Sequence, residues 1–430
     1  MQKLYTAFWK DIQAKKVRKN MGRRIAVIGG GASGLMTAIT AARNGAKVTI
    51  YEGKERLGKK ILATGNGKCN FTNLVQEDSC YRGAHPEFSK SVREQFTVNQ
   101  TLEFFKEIGI LPKVKNGYVY PNSEQAASVA DALAMEVRAL NIAVIQEDAE
   151  KIQKKKTGYE VWSARGKADF ERVVLCMGSC AGFKEEKKFS GYRLAEALGH
   201  TLEKVSPALV QLRCPEKWFK TISGVRCEGK VFLFADGEKL AEERGEILFA
   251  EYGLSGIPVF QLSRYAGKAL DSCRKVSCKV DFFDSMSVEQ LTEHLLERLS
   301  HARGRSAEEM LVGLMNHKLN YVILKEIGVN PTEPASREFS SKDIIIKLAK
   351  KYKNFTCQVS ALNPFANAQV CAGGVNTDEL KEDTLESKRN PGLYMAGELI
   401  DVDGTCGGYN LQWAWSSGYV AGLHAATDLD

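Results

Sequence analysis

A chain of 430 residues with 44% hydrophobic and 26% charged residues is too long for one ordinary core and too apolar for wholesale disorder, so it folds as two or three packed units. The formal charge of +8 sits almost entirely in residues 1–24, where eight Lys or Arg face Asp11 alone, and the near-neutral remainder excludes the general basicity of a nucleic-acid binder. Eleven cysteines with irregular spacing and no secretory signal point to a reducing cytoplasm, and six scattered His give no metal-binding pattern.

Residues 1–20 put Leu4, Phe8, Trp9 and Ile12 on one helical face among lysines, a basic amphipathic extension. It suits docking on its own protein or peripheral contact with a membrane, or else Met21 begins the functional chain. From Arg24 to Glu52 the pattern is strand (Ile25 to Ile28), glycine turn, helix (Leu35 to Asn44) and strand (Val48 to Tyr51), one βαβ unit. A helical run at Ser128 to Leu140 leads to a strand at Ile142 to Gln146, and Val173 to Cys176 reads as another buried strand.

Beyond Ser206 short strand-like runs such as Val231 to Phe234 alternate with turns, an antiparallel pattern. Between Ser287 and Lys353 the pattern is helical, with capping-box spacing at Ser287/Gln290 and Ser306/Glu309 and a core stripe of Val288, Leu291, Leu295 and Leu299. Leu393 to Ala396 is a further strand, followed by a glycine-rich turn and a helix from about Leu411. The uncharged stretches Ile25 to Ala42 and Gly404 to Thr427 carry glycines and polar residues that do not suit a bilayer.

Gly29-Gly30-Gly31-Ala32-Ser33-Gly34 fits the dinucleotide fingerprint between a strand and a helix. Gly29 permits the turn, Gly31 lets a pyrophosphate approach, Gly34 allows close helix–strand packing, and the phosphates lie at the positive helix end. Glu52 closes the second strand, where a carboxylate accepts ribose hydroxyls and repels a 2′-phosphate. Arg56-Leu57-Gly58, Cys176-Met177-Gly178 and Ala396-Gly397-Glu398 follow in the order used by FAD proteins of the glutathione-reductase type. Together the four features favour FAD over NAD.

The chain resembles the BaiN-like flavoproteins, a bacterial family of NAD(P)/FAD-dependent oxidoreductases that includes aminoacetone oxidase-like members. The resemblance rests on Gly58-Lys59-Lys60, Ala63 to Asn73, Gly245 to Phe249, Tyr252 to Gly256, Ala372 to Val375 and Gly392 to Gly418, and runs from about Arg23 to the end. It implies an α/β fold: a discontinuous Rossmann-type FAD-binding domain (21–205 and 371–430) with an inserted β-barrel-like domain (206–285 and 354–370) and a small helical bundle (286–353). It also implies that Glu398 binds the ribityl chain and that Gly407, Gly408, Tyr409 and Asn410 bring a helix N-terminus to the flavin.

By the same resemblance Asn66, Gly67, Lys68, Cys69 and Asn70 lie beside the isoalloxazine, and Arg56, Lys59, Met177 and Gly178 belong to the cofactor site. Cys69 has no second cysteine four residues away, so it reads as packing and not as a redox thiol. The family's usual Ala-Thr-Gly-Gly is Cys176-Met177-Gly178-Ser179 here, with an altered loop from Lys184 to Ser190, and its usual Arg is Lys68.

The implied function is an FAD-dependent oxidoreductase with tightly bound FAD and NAD(P)H as a transient reductant, since no second glycine fingerprint serves a nicotinamide. The expected partner is a small organic substrate, an unsaturated or carbonyl compound that the family name extends to bile-acid-like enones. Alternatives are an amine or aminoketone oxidase using O2 and, from another class, a flavin-containing RNA-binding or tRNA-modifying protein, against which the near-neutral body argues. Tyr252, Asp403 and Tyr409 are candidate acids or bases only because they occur inside the family segments.

Overall fold

A computed structural model describes residues 22–183 and 190–427. The amphipathic extension at 1–20, Met21 and the loop residues 184–189 lie outside the described residues. The chain divides into two compact units, one from Met1–Val205 with Val370–Asp430 and one from Ser206–Gln369.

The first unit opens with β1 (Arg24–Ile28), α1 (Ala32–Arg43) and β2 (Lys47–Tyr51). Ile25 to Ile28 are buried throughout, the uninterrupted apolar run of a parallel strand covered on both faces. Then come β3 (Thr72–Asn73), β4 (Tyr81–Arg82), α2 (Phe88–Gln95), α3 (Val98–Glu107), β5 (Pro112–Lys115), β6 (Tyr118–Pro121), α4 (Ala126–Ala139) and β7 (Ala143–Ile145). An antiparallel meander follows in β8 (Lys151–Lys154), β9 (Tyr159–Ser163) and β10 (Gly166–Phe170), and then β11 (Arg172–Leu175), α5 (Ser190–Ala197) and β12 (Leu202–Ala208).

In the second unit β13 (Leu212–Arg213), β14 (Arg226–Ala235), β15 (Glu238–Ala250) and β16 (Gly253–Ser255) lead to α6 (Ile257–Asp271) and β17 (Val276–Asp281). The helices α7 (Val288–Ser300), α8 (Ala307–Met310), α9 (His317–Ile327), α10 (Ala335–Glu338) and α11 (Lys342–Lys353) precede β18 (Phe355–Val359) and β19 (Ala361–Leu362). The seven-stranded sheet runs β18-β17-β14-β15-β16-β13-β19. Its two edge strands are consecutive in sequence with Ser360 alone between them, so the sheet curls until its edges lie close.

Both capping boxes form, on α7 and α8. Leu291 and Leu295 join Val231, Leu233, Phe249 and Phe355 in one core, so sheet and helices fold as a single body where the sequence reads as a middle domain plus an insert. Gly253 and Gly256, from one of the family segments, serve packing: β-carbons there would overlap the carbonyls of Leu212 and Glu246.

The chain returns to the first unit with β20 (Val370–Val375), β21 (Leu393–Met395), β22 (Asp403–Gly404) and α12 (Tyr409–Ala426). All strands of its main sheet are parallel, in the order β21-β11-β1-β2-β7, so strands read separately at 25–28, 48–51, 142–146, 173–176 and 393–396 meet in one sheet. The chain goes from β1 outward to β2 and crosses back later to β11, which puts the carboxyl end of β1 at a topological switch point. α12 packs on α1 at close range: a β-carbon on Gly418 would lie 2.5 Å from the Ser33 carbonyl oxygen, and Thr37 Oγ1 donates to the Gly418 carbonyl at 3.0 Å. Among the described residues no helix is long and apolar enough to cross a membrane.

Candidate functional site

Four glycine-bearing segments converge at the carboxyl end of β1. Gly29, in the left-handed region at φ +101°, donates to the Tyr51 carbonyl at 2.8 Å, and a β-carbon on it would press to 2.6 Å from the Cys176 carbonyl oxygen. A β-carbon on Gly34 would overlap the Gly29 carbonyl. Gly58 N–H donates to the Gly30 carbonyl at 2.8 Å, and Ala396 N–H donates to that of Leu175 at 3.0 Å. Gly397 (φ +75°) leaves no room for a β-carbon against Ser33 Oγ, and its N–H and carbonyl are held by Ser417 and Trp413 of α12. Tertiary contact thus brings together Gly29, Gly31, Ala32, Ser33, Gly34, Glu52, Gly58, Met177, Gly178, Gly397 and Glu398.

The mouth of this convergence suits an anion. α1 starts at Gly31 with no side-chain cap and no acidic residue in its first turn, and a β-carbon on Gly31 would meet nothing within 4 Å. The first N–H groups of α1 therefore face open space at the positive end of the helix. Glu52 is fixed beside them, its two oxygens accepting from Gly30 N–H and Lys54 N–H at 2.8 Å each. Backbone donors thus aim the carboxylate from the end of β2 at the glycine turn, with lone pairs left for hydroxyl groups.

Glu398 Oε2 accepts from Lys60 Nζ and from Ser179 Oγ, each at 2.8 Å. Both partners occur in segments that the sequence brings forward, but neither stands among the expected cofactor-site residues. Lys59 was expected there, but it turns to Glu55 at 2.8 Å on the exposed side, while its neighbour Lys60 reaches Glu398. Arg56 likewise pairs outward with Asp131 of α4 at 2.7 Å. The sequence signal for Lys60 was the Gly58-Lys59-Lys60 run, in which one residue of turn decides which lysine points inward.

A second cluster builds on the N-terminus of α12. The segment from Thr64 to Asn70 is kinked, with Asn66 at φ +53° and Cys69 at φ +55°, and it leads directly into β3. Asn70 Oδ1 accepts from Val119 N–H at 3.2 Å, and Trp415 Nε1 donates to the Phe71 carbonyl at 2.8 Å. A β-carbon on Gly408 would come within 2.7 Å of the Thr72 backbone, and Asn73 Nδ2 donates to the Gly407 carbonyl at 3.0 Å. The uncapped start of α12, at Gly408 in the left-handed region, therefore lies against 70–73.

The surroundings of the other expected residues differ from one to the next. Cys69 is buried and its thiol is pushed up to about 11 by that burial, against a weaker opposing hydrogen bond from Thr64, so it stays neutral at ordinary pH. Asn410 spends its amide on Gly404, accepting from its N–H at 2.8 Å and donating to its carbonyl at 2.9 Å, which locks the turn into α12. Tyr409 is buried, its ring edge-on to Tyr81, and burial with a hydrogen bond to Cys80 pushes its hydroxyl well above the usual range. That placement suits packing and not proton transfer. Asp403 is buried in β22, where it pairs in register with Arg82, and Lys68 forms an ion pair with Glu124 at 3.3 Å.

Tyr252 belongs to the second unit, and its carbonyl accepts from Cys214 N–H at 2.9 Å. The cysteines that meet are also not those closest in sequence: Cys180 and Cys371 sulfurs lie 3.5 Å apart and Cys214 and Cys357 3.8 Å apart, all as thiols. Among the described residues no group of side chains has the makings of a metal site. A surface recess of about 480 Å³ lined by Arg23, Arg24, Lys155, Asp169, Glu171 and Arg172 lies at the amino ends of β1 and β11, opposite the switch point.

The chain matches the HI0933-like protein Rossmann domain over residues 23–424. It is 43% identical over 410 residues to the 3-dehydro-bile acid delta(4,6)-reductase of Clostridium scindens, covering 94% of this chain and 99% of that one. It is 27% identical over 401 residues to the ribosomal RNA dihydrouridine synthase of Escherichia coli, covering 92% of this chain and 96% of that one. Among solved structures, the 3-ketosteroid delta1-dehydrogenase of Sterolibacterium denitrificans aligns with a TM-score of 0.46 at 10% identity, over 95% of this chain and 99% of that one. The chain belongs to the HI0933-like Rossmann family and is a BaiN-like, FAD-dependent oxidoreductase.

Proposed function

We propose that the protein uses NAD(P)H to reduce a carbon–carbon double bond conjugated to a carbonyl in a small organic substrate, the bile-acid or steroid enone class being the first choice. The observation that carries this is the 43% identity, over nearly the whole of both chains, to a reductase of that chemistry. The more distant rRNA relative is named for making dihydrouridine, which is again saturation of a double bond conjugated to a carbonyl. The shared element is the reaction, not the size of the substrate.

In this reading FAD supplies a hydride acceptor and donor at N5. The glycine turn with Ala32 and Ser33 receives the pyrophosphate on the N–H groups of α1, Glu52 accepts the adenosine ribose hydroxyls, and Gly58, Met177 and Gly178 line the path between them. Glu398 exchanges Lys60 for a ribityl hydroxyl while Ser179 keeps its orientation. Asn66, Gly67, Lys68 and Asn70 border the ring, and the start of α12 at Gly407 and Gly408 favours negative charge on its reduced form. Arg56 and Lys59 act at the rim, where their ion pairs hold the entrance loop. The same reading takes the curled sheet and helices of the second unit as the barrel-like insert and small helical bundle of such flavoproteins.

The test is the absorption spectrum of the purified protein, followed anaerobically after NADH and then NADPH. Flavin bands that bleach with either nicotinamide and recover with an enone support the reading. Protein that stays apo after incubation with excess FAD would overturn it, and flavin that bleaches only with an amine would shift it to an oxidase.

A further inference from the structure

Four tyrosines surround the start of α12 and the strands beside it, and the structure distinguishes them. Tyr81 donates its hydroxyl to Gln76 Oε1 at 2.6 Å, and Tyr409 is buried against Tyr81 and bonded to Cys80. Tyr120 is half-buried beside Lys68 and Glu124. Neither Tyr120 nor Tyr118 spends its hydroxyl on a hydrogen bond among the described residues, and Tyr118 is the more exposed of the two, at 37%. The Tyr118 ring lies on the Gly407 turn, where a β-carbon on Gly407 would come within 2.8 Å of Tyr118 Cε1.

The surface around Tyr118 is mixed: Lys115 lies across from it on β5, and open apolar side chains stand in the loop after β3. β6 pairs with β3 so that Tyr118 lies across from Asn73, whose side chain holds the Gly407 carbonyl. Asn73 Oδ1 then accepts from Val75 N–H, and Val75 Cγ2 lies 3.8 Å from where a β-carbon on Gly117 would stand. Val75 is 49% exposed and Leu74 46% exposed, whereas Val114 pairs with Val119 and so lies on the opposite face of the strands from Tyr118. Two open apolar side chains in one loop beside a site offer an apolar ligand a place to rest.

We propose that Val75 and Tyr118 form the substrate platform, with the Tyr118 hydroxyl donating a hydrogen bond to the carbonyl oxygen of a flat, largely apolar enone. This rests on the reductase reading above and adds the residues that bind and polarise the substrate. When the β-carbon of an enone takes a hydride from the reduced cofactor, the electron pair of the double bond moves through the α-carbon to the carbonyl oxygen as an enolate. A proton from solvent then adds to the α-carbon and the carbonyl re-forms, so two electrons and one proton come from the cofactor and one proton from water. The step needs a donor at the oxygen where charge develops. Of the two tyrosines here whose hydroxyls are unspent on the protein, Tyr118 is the more exposed and the one whose ring lies on the Gly407 turn.

The experiment titrates oxidised, flavin-loaded protein with testosterone, a neutral 3-oxo-4-ene steroid, and with its 3-deoxy analogue, following the perturbation of the flavin spectrum. Tyr118→Phe is expected to weaken testosterone binding about tenfold, equivalent to about 1.4 kcal/mol, and to leave the 3-deoxy analogue unaffected. Val75→Asp is expected to weaken both steroids, and Tyr120→Phe neither. A Tyr118→Phe protein that keeps its flavin and binds testosterone within twofold of wild type overturns the assignment. Yellow wild-type protein whose spectrum neither steroid perturbs also overturns it and leaves the flavin reading standing, whereas colourless wild type that cannot be loaded sinks that reading instead.

Discussion

Glu52 and Cys69 show how differently two residues of one site are constrained. The Glu52 carboxylate holds two backbone N–H groups of the glycine turn and its exit. Removing a partner from such donors costs about 1–3 kcal/mol, so Glu52→Ala is expected to lower the melting midpoint and to weaken FAD binding at least tenfold, read from flavin content and fluorescence titration. Cys69 is neutral and enclosed. Cys69→Ala is therefore expected to cost about 1 kcal/mol in packing while leaving anaerobic reduction by nicotinamide intact. Loss of reduction with flavin still bound would give the thiol a redox part. The fates of Lys59, Asn410 and Tyr409 were not legible in sequence, because each is decided by a partner that folding supplies: Glu55 on an outward turn, the Gly404 backbone, and Cys80.

At the level of elements, the strand–glycine–helix–strand opening was legible because everything it needs is local: a buried apolar run, a turn that only glycine can make, and a second strand a helix later. The start of α12 was less so. The helix begins at Tyr409, two residues before the apolar pattern suggests, because Gly408 adopts the left-handed cap and Asn410 clamps Gly404. Its contact with α1 is made by glycines, with Gly422 as close to Thr37 as Gly418 is to Ser33. Gly418→Val forces branched carbons against a carbonyl at that contact, where overpacking costs about 1–3 kcal/mol. It is expected to lower the melting midpoint and to reduce flavin content together, because α1 carries the glycine turn at its start. A melting curve and flavin occupancy equal to wild type would show that the two helices can part without cost.

For the molecule as a whole, pH acts on a buried network of the first unit. His200 bonds Glu379 through Nδ1 and Ser387 through Nε2, both at 2.9 Å, and Glu379 also accepts from Thr201 and Arg389. The array resembles a nucleophile–histidine–acid triad, but Ser387 Oγ is enclosed and accepts from Arg389 and Asn390 N–H, which spends it on a turn. Burial, outweighing the attraction of Glu379, holds His200 below its usual range, and burial does the same to His424. The unfolded chain therefore takes up protons first as pH drops below about 6.5, and native stability falls from there downward. Glu379 adds a second loss at lower pH: burial alone would raise it, yet hydrogen bonds from Thr201 and Arg389 hold it below the usual carboxylate range. Thermal melts are expected to be level between about pH 8 and 7 and to fall steadily below about 6.5; a level profile down to pH 5 would contradict this account. What the sequence by itself determined was the glycine turn, the acid that ends the second strand and the return of the last segment to the first, since steric need and apolar periodicity are written in neighbouring residues. Only the tertiary structure decided which side chains are spent and which are free, because Lys60 and Glu398, or Tyr118 and Gly407, lie hundreds of residues apart and become partners only through packing.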